Sequence, residues 1–218
     1  MDFSLATIVL WAVPVVFAIT LHEAAHGYVA KLFGDNTAQA LGRVTLNPIK
    51  HIDPIGTILV PGLMLLTSKF LVGVPFVFGW AKPVPVNFGN LRHPKRDMIW
   101  VAAAGPAVNF AMAILWALFG RMTAPSGAWV SDGLHQMSQI GIGINLVLMV
   151  LNLLPIPPLD GGRIVTGLLP LPAARVFARI EPFGFPLILL LLFVGWLDKL
   201  MSPLLRVAAF ALHALTGA

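Results

Sequence analysis

The sequence contains no cysteine and few charged residues, since Lys, Arg, Asp and Glu together make up 11% of its 218 residues. The lack of cysteine excludes disulfides and thiolate metal sites, so a metal could be bound only by His, Asp or Glu. A soluble domain typically carries about 25% charged and about 45–50% apolar residues. This chain is 58% hydrophobic with a mean hydropathy of +0.87, which indicates a protein that folds in lipid.

The chain is basic, with a formal net charge of +5 and a pI near 10.1. Its basic residues are thinly spread between apolar stretches, a pattern typical of membrane topology and not of a nucleic-acid-binding face. The N-terminus lacks the basic region and cleavage site of a signal peptide, so we expect a retained membrane helix. We expect residues 1–218 to form one membrane-embedded domain, with no appended regulatory domain.

The apolar runs predict an all-α polytopic membrane protein with about 4–6 membrane helices. Three runs are long, at about 5–33, 98–119 and 134–154, and with the loop that follows them they form a core of about 5–165. Two C-terminal helices within about 183–216 are short for a full crossing. Whether 203–215 crosses the bilayer or lies along its surface stays open. We also expect a small β element at about 37–53, where Leu41–Leu46 alternates, and a re-entrant segment at about 55–80.

The basic residues favour a re-entrant segment over a full crossing. A full crossing would separate Lys31, Arg43 and Lys50 from the basic loop 82–96. If the segment dips in and returns, these residues share one side and the opposite loop keeps only Arg121, as the positive-inside rule favours. The helix carrying His22 and the helix preceding Asp160 then run in the same direction. Both would have their sites toward the cytoplasmic side of the membrane.

A metal-binding pattern lies in the first apolar run, at His22-Glu23-Ala24-Ala25-His26. The spacing i, i+4 puts both imidazoles on one helix face, where they can bind one Zn²⁺. Glu23 would then lie beside the metal as the general base that takes a proton from water. The chain has only two glutamates, and polar groups at membrane depth indicate function by default. A chance occurrence is the alternative, and the pattern favours the metal.

A catalytic zinc usually has three protein ligands and one open position, so a third ligand is required. The candidates are His51, Asp53, His93, Asp97, Asp160 and Glu181. Asp160 is best placed, because three prolines before it enforce an extended backbone and two glycines after it permit a tight turn. The alternative is that Asp160 caps the next helix, which the residues alone make equally plausible.

Five motifs occur in an order that resembles the site-2 proteases, the M50 class of intramembrane zinc metalloproteases: HEAAH (His22–His26), NPIKHIDPIGT (Asn47–Thr57), GWAKPVPVN (Gly79–Asn87), AGPAVN (Ala104–Asn109) and NLLPIPPLDGG (Asn152–Gly162). The resemblance covers about residues 20–165, in a minimal prokaryotic form without PDZ or CBS domains. It implies His22, His26 and Asp160 as zinc ligands and Glu23 as base. It also implies a structural or oxyanion-supporting role for Asn152.

Other residues have weaker indications. His51 could stabilise an oxyanion or orient substrate, although a loop histidine bonded to backbone is at least as plausible. The stretch Leu41–Leu46 could offer an edge on which an unwound substrate pairs, or it could be an ordinary hairpin. Gly105-Pro106 is expected to bend a helix or permit close packing, and Asn109 to make an interhelical hydrogen bond. The remaining histidines, His93, His135 and His213, have no ligand pattern.

These observations predict hydrolysis of peptide bonds within or near the transmembrane helices of other membrane proteins. By the resemblance, the substrate could be a single-pass signalling protein such as an anti-sigma factor. A small metal carrier would not need Glu23 between the histidines, and a non-catalytic scaffold would not need the base at all. The oligomeric state is not predicted.

Overall fold

The structure is a computed structural model, and it describes residues 5–60, 63–64, 67, 79, 82–123, 127 and 129–217. The described residues form eight α-helices: α1 (Leu5–Leu32), α2 (Thr37–Ala40), α3 (Pro94–Met122), α4 (Trp129–Leu153), α5 (Asp160–Leu168), α6 (Leu171–Ala178), α7 (Glu181–Phe193) and α8 (Trp196–Thr216). Short 3-10 turns span Pro48–His51 and Phe88–Asn90, and a π-helical turn spans Pro54–Leu59. The predicted all-α class is confirmed.

Three helices are long and apolar enough to cross a membrane, at Ala6–Leu32, Pro94–Met122 and Val130–Leu153. The pair α6 and α7, bent by 58°, could count as a fourth span. Among the described residues, the structure therefore supports three or four spans, which meets only the lower edge of the predicted four to six. Most of the predicted re-entrant segment at about 55–80 lies outside the described residues; its first part is the turn Pro54–Leu59.

The predicted β element at about 37–53 is wrong, because no described residue in that range is in a strand. The backbone instead closes helical turns, with Leu41 N–H donating to Thr37 and Arg43 N–H to Ala38. Asn47 then starts the turn Pro48–His51 by accepting the Ile49 amide. An alternation of six residues is a weak strand signal when no described strand lies beside it to complete a ladder.

The start of α3 follows from its sequence. Pro94 stands in the first turn, where its missing N–H is not needed, and Asp97 accepts the N–H of His93 at 2.8 Å. This local arrangement fixes where the helix begins. The first residue of α3 in turn decides which residues of α3 lie beside α1.

The three long helices alternate in direction. In the α1–α3 pair, His26 contacts Val101 while Ala18 contacts Asn109, so the two helices are antiparallel. In the α3–α4 pair, Asn109 bonds Asn145 and Gly120 bonds His135, which is again antiparallel. Helices α1 and α4 therefore run in the same direction, as the charge distribution predicted, and the C-terminal end of α4 lies at the same end of the bundle as His26.

The segment between α1 and α3 begins and ends at one place. Arg92 N–H donates to the Phe33 carbonyl at 3.0 Å, which joins the end of α1 to the residues just before α3. The buried Asp35 adds bonds from the Asn87 amide and the Asn90 side chain. The chain therefore leaves α1 and enters α3 at the same end of this helix pair.

The C-terminal helices differ from their predicted bounds. The break between them falls at Gly195, whose positive φ of 71° suits glycine, and α8 continues through Pro203. Helix α8 packs its apolar side chains on α3 and α4 in the main hydrophobic cluster. Helix α7 approaches the loop before Asp160 so closely that a Cβ on Gly184 would meet the Pro157 carbonyl.

Candidate metal centre

Three potential ligand atoms converge where α1, α3 and α5 meet. The Nε2 atoms of His22 and His26 are 3.0 Å apart, and each is 3.3 Å from Asp160 Oδ2. All three residues are buried, and all three atoms lie within 4.8 Å of one another. The structure therefore brings together the two histidines of the HExxH pattern and the aspartate that lies 134 residues after His26 in the chain.

Hydrogen bonds at Nδ1, the ring nitrogen outside the cluster, fix the orientation of both imidazoles. His22 Nδ1 is 2.6 Å from Asn109 Oδ1, and His26 Nδ1 is 2.7 Å from the Val101 carbonyl. The amide nitrogen of Asn109 donates to Asn145 Oδ1 and to the Ala18 carbonyl, which leaves its oxygen for His22. Because both partners are acceptors, each ring in its neutral form carries its hydrogen on Nδ1 and presents a lone pair at Nε2.

The three converging atoms are therefore all electron-rich. Two Nε2 lone pairs and a carboxylate oxygen face one another at about van der Waals distance, and among the described residues Asp160 Oδ2 has no hydrogen-bond donor. This arrangement is unfavourable unless a cation lies between the atoms. A tetrahedral zinc about 2.0–2.1 Å from each ligand keeps its ligands roughly 3.3–3.4 Å apart, close to the spacing found here. The donor set and its geometry fit zinc.

Gly105 of α3 makes the space for this centre. A Cβ at that position would lie 2.5 Å from His22 Cε1 and 2.5 Å from His26 Nε2. Any side chain there would occupy the volume where the imidazoles meet. The predicted role in close packing is thus observed, and what packs against the glycine is the pair of candidate ligands.

Asp160 is the first residue of α5, whose N-cap is Leu159, and among the described residues no backbone amide donates to the Asp160 side chain. The capping alternative raised by the sequence therefore does not hold. Gly161 and Gly162 are helical and have no positive φ; they are needed because a Cβ on either would lie within 2.4 Å of backbone atoms of Leu153 or Pro157. The glycines let α5 start against the end of α4 and the proline loop, which aims Asp160 at the two histidines.

Glu23 lies beside the centre and is held from another direction. Its Oε2 accepts the backbone N–H of Val84 at 2.7 Å. Val84 belongs to the extended residues 82–87, which lie alongside α1. The carboxylate is thus anchored by the main chain.

Comparison with known proteins points to one protein family. Peptidase family M50 matches residues 118–195. YwhC of Bacillus subtilis (strain 168), named as a candidate zinc metalloprotease, is 41% identical over 186 residues, which cover 84% of this chain and 78% of that protein. The chain belongs to peptidase family M50, the family of site-2 proteases.

Other members of family M50 are more distant. Rip2 of Mycolicibacterium smegmatis, also named as a candidate zinc metalloprotease, is 31% identical over 84% of this chain and 66% of that protein. Rip2 of Mycobacterium tuberculosis H37Rv is 29% identical over 82% of this chain and 66% of its own length. No solved structure matches the chain. As a member of this family the chain is a zinc metalloprotease, and its apolar helices make it a multi-pass membrane protein.

The other residues considered as third ligand lie outside the cluster in this M50 protein. Asp53 accepts the amides of Ile55 and Gly56, and Asp97 accepts that of His93. Glu181 is exposed in the first turn of α7. Within the described part of the chain, His22, His26 and Asp160 are the one group of three or more potential ligands close enough together to share a metal ion.

The two supporting residues are placed as follows. His51 is buried, and its Nε2 donates to the Thr45 carbonyl at 3.0 Å, which makes Nδ1 an acceptor. To donate to an oxyanion, the ring would have to be protonated or release Thr45. Asn152 donates one amide hydrogen to the Leu148 carbonyl one turn earlier in α4, and its second amide hydrogen remains available.

Two features of the centre escaped the sequence argument. Asn109 was expected to bond between helices, and it does so with Ala18 and Asn145, but the sequence did not indicate that its side-chain oxygen also bonds His22. Asn145 was not singled out, although it is fully buried and bonds Asn109. An asparagine inside an apolar helix was the available signal, since such residues are costly in lipid unless they have partners.

The two alanines inside the HExxH pattern face a cavity of about 530 Å³ on another side of α1. The cavity is lined almost entirely by apolar residues of α1, α3 and residues 44–46. Its volume lies within the range of about 300–1,000 Å³ that is usual for ligand-binding clefts.

Proposed function

We propose that this protein hydrolyses peptide bonds within or near the transmembrane helices of membrane-protein substrates. The observation that carries the proposal is the convergence of His22 Nε2, His26 Nε2 and Asp160 Oδ2 within 4.8 Å, with both histidines on a helix long and apolar enough to span a membrane. In this proposal the three residues are the zinc ligands and Glu23 is the general base. A substrate would be a single-pass membrane protein, for example an anti-sigma factor.

The proposed chemistry divides the work between these residues. When bound, zinc would supply Lewis acidity, lowering the pKa of a coordinated water to about 7 and polarising a carbonyl oxygen. Glu23 takes the proton of the attacking water and later delivers it to the leaving amine. Asn109 and Val101 keep the two imidazole lone pairs aimed at the centre throughout. Asn152, with its remaining amide hydrogen, is assigned to support the oxyanion.

The site is proposed to open toward the cytoplasm. Lys31, Arg92 and Lys95 lie at the end of the bundle where α1 ends and α3 begins, and Arg121 lies at the opposite end of α3. The positive-inside rule assigns the more basic end to the cytoplasmic face of the inner membrane. The apolar cavity beside Ala24 and Ala25 is assigned to apolar side chains of the unwound substrate segment.

The test is cleavage of a membrane-helix substrate by the detergent-reconstituted protein, wild type against Glu23→Gln. Loss of a general base costs about 10²–10⁴-fold in rate, and we expect a fall in that range with zinc retained. Asp160→Ala should lose zinc, from about one per chain, because a carboxylate ligand is removed. Equal cleavage by wild type and Glu23→Gln would refute the mechanism. Full zinc binding by Asp160→Ala would refute the ligand set.

A further inference from the structure

Arg43 is a buried cation whose role the proposed chemistry leaves unexplained. Arg43 is only 7% exposed, and within the described residues no carboxylate lies within ion-pair distance of its guanidinium. Its Nε atom has no hydrogen-bond partner there either. A buried guanidinium is costly unless it is well bonded, so its remaining contacts should indicate what it does.

Those contacts are two backbone carbonyls of one short segment. Arg43 Nη2 donates to the Lys82 carbonyl at 2.7 Å and to the Pro83 carbonyl at 3.3 Å. We call residues 82–87 the strap. Pro83 and Pro85 favour an extended backbone in the strap and leave Val84 as the one residue between them with an amide hydrogen.

The Pro83 carbonyl and the Val84 amide belong to the same planar peptide group. At one end this group accepts a hydrogen bond from Arg43, and at the other it donates to Glu23 Oε2 at 2.7 Å. A cation at the carbonyl polarises the peptide and strengthens its N–H as a donor, since chained hydrogen bonds reinforce one another. One peptide thus connects the buried cation to the carboxylate beside the metal centre.

Packing fixes the strap at the same place. The Val84 side chain is buried, and its Cγ1 would lie 3.0 Å from a Cβ on Gly27, the residue that follows His26. Val44, next to Arg43, makes the matching approach at 3.0 Å. Lys82 N–H donates to the His51 carbonyl. Arg43 and the strap therefore press together on the side of α1 that carries Glu23.

We propose that Arg43 is a positioning residue, which clamps the strap so that the Val84 amide holds the Glu23 carboxylate in its working orientation. The inference rests on the proposed function, since it gives Glu23 its catalytic role. It predicts an effect on turnover without an effect on the metal. Arg43 itself touches neither the ligand atoms nor, in this proposal, the substrate.

The kinetic test compares wild type, Arg43→Met, Arg43→Lys and Arg206→Met in detergent. Misplacing a catalytic group by about 1 Å can cost about 10²-fold, so we expect Arg43→Met to lower kcat about 10–100-fold. KM should change less than about twofold and zinc should stay near one per chain, because neither substrate contacts nor ligands are altered. Arg43→Lys retains one cationic donor group, the ammonium, and should therefore recover part of kcat. Arg206, exposed on α8, is the matched control and should leave kcat unchanged.

Hydrogen exchange tests the clamp without any substrate. Because Pro83 and Pro85 have no amide hydrogen, exchange in a peptide covering residues 83–85 reports on Val84 alone. We expect slow exchange at Val84 in wild type and faster exchange in both Glu23→Ala and Arg43→Met. Fast exchange in the wild type would overturn the proposal, and this reading does not depend on whether Arg43→Met folds.

The outcomes separate this inference from the proposed function. If the wild type cleaves substrate and Arg43→Met cleaves it with equal kcat, the clamp is refuted and the protease stands. If Arg43→Met loses zinc in proportion to its activity, Arg43 has a structural role and the positioning proposal is refuted. If the wild type cleaves no membrane helix, the proposed function fails, while the exchange rate of Val84 still decides whether the strap is clamped.

Discussion

The bundle of α1, α3 and α4 and the C-terminal helices α6–α8 are built from different interiors. Among the described residues between 20 and 160, eleven polar or charged residues are buried: Thr20, His22, His26, Asp35, Arg43, His51, Asp97, Asn109, Ser138, Asn145 and Asp160. Over residues 171–217, only Thr216 is buried among such residues. The interior there consists of apolar side chains such as Leu197, Met201 and Leu212, packed on α3 and α4.

The difference shows which region of the fold contains buried polar groups despite their free-energy cost. A buried polar group destabilises a protein unless it is hydrogen-bonded. In the first region, four of these groups bond across helices: His22, His26, Asn109 and Asn145. The C-terminal helices avoid that cost and contribute apolar packing. We therefore expect substitutions in the first region to act on the metal, and substitutions at the contact with the second to act on stability.

The largest effect is expected from Gly105→Ala. The added Cβ would lie 2.5 Å from atoms of both imidazoles, so the rings cannot keep their present positions. Zinc affinity should fall by more than the roughly 10–100-fold that loss of a ligand's hydrogen-bond partner costs, and cleavage should fall with it. Zinc per chain after purification is the measurement.

Gly143→Ala is the matched control for this substitution. Gly143 lies in α4, and a Cβ there would meet nothing within 4 Å. It should bind zinc as the wild type does. If both variants bind zinc normally, α3 does not pack closely against the two imidazoles at Gly105.

An intermediate effect is expected from Asn109→Ala, which removes the acceptor that fixes His22. Such hydrogen-bond partners of ligands are worth about 10–100-fold in metal affinity. Competition with a chelator gives the dissociation constant. Asn36→Ala is the control, because Asn36 is exposed and its side chain makes no capping bond. An unchanged zinc affinity in Asn109→Ala would show that the hydrogen bond between His22 and Asn109 does not contribute to metal binding.

The smallest effect on the metal is expected from Gly184→Ala, at the contact between the two regions. Its Cβ would overlap the Pro157 carbonyl, so α7 must move away from the loop before Asp160. Overpacking of this kind costs about 1–3 kcal/mol, which should lower the thermal midpoint in detergent while zinc binding persists. Zinc loss without a loss of stability would show that α7 is part of the metal site.

Patterns within one helix were readable from the sequence. The long apolar runs predicted α1, α3 and α4, and the spacing of His22 and His26 predicted a shared helix face. The prolines before Asp160 singled out that residue because they restrict the backbone locally. In each case, neighbouring residues carry the information.

What the sequence could not provide depends on contacts between distant segments. Arg43 reaches the strap across about forty residues, and Asn145 reaches Asn109 across 36. The apparent strand at Leu41–Leu46 failed for the same reason, because alternation specifies a strand only when a partner strand is there to pair with. Glycines were similarly ambiguous: Gly105 and Gly143 look alike in sequence, but only Gly105 faces another helix closely.

The carbonyl that holds His26 belongs to the main chain of Val101. Replacing the side chain at position 101 cannot delete it, so the hydrogen bond to His26 places no demand on the identity of that residue. Val101 is constrained in another way, because its side chain is buried in a core cluster with Ala30 and Leu91. The two imidazoles therefore depend on position 109 through the chemistry of its side chain and on position 101 through the packing of its helix.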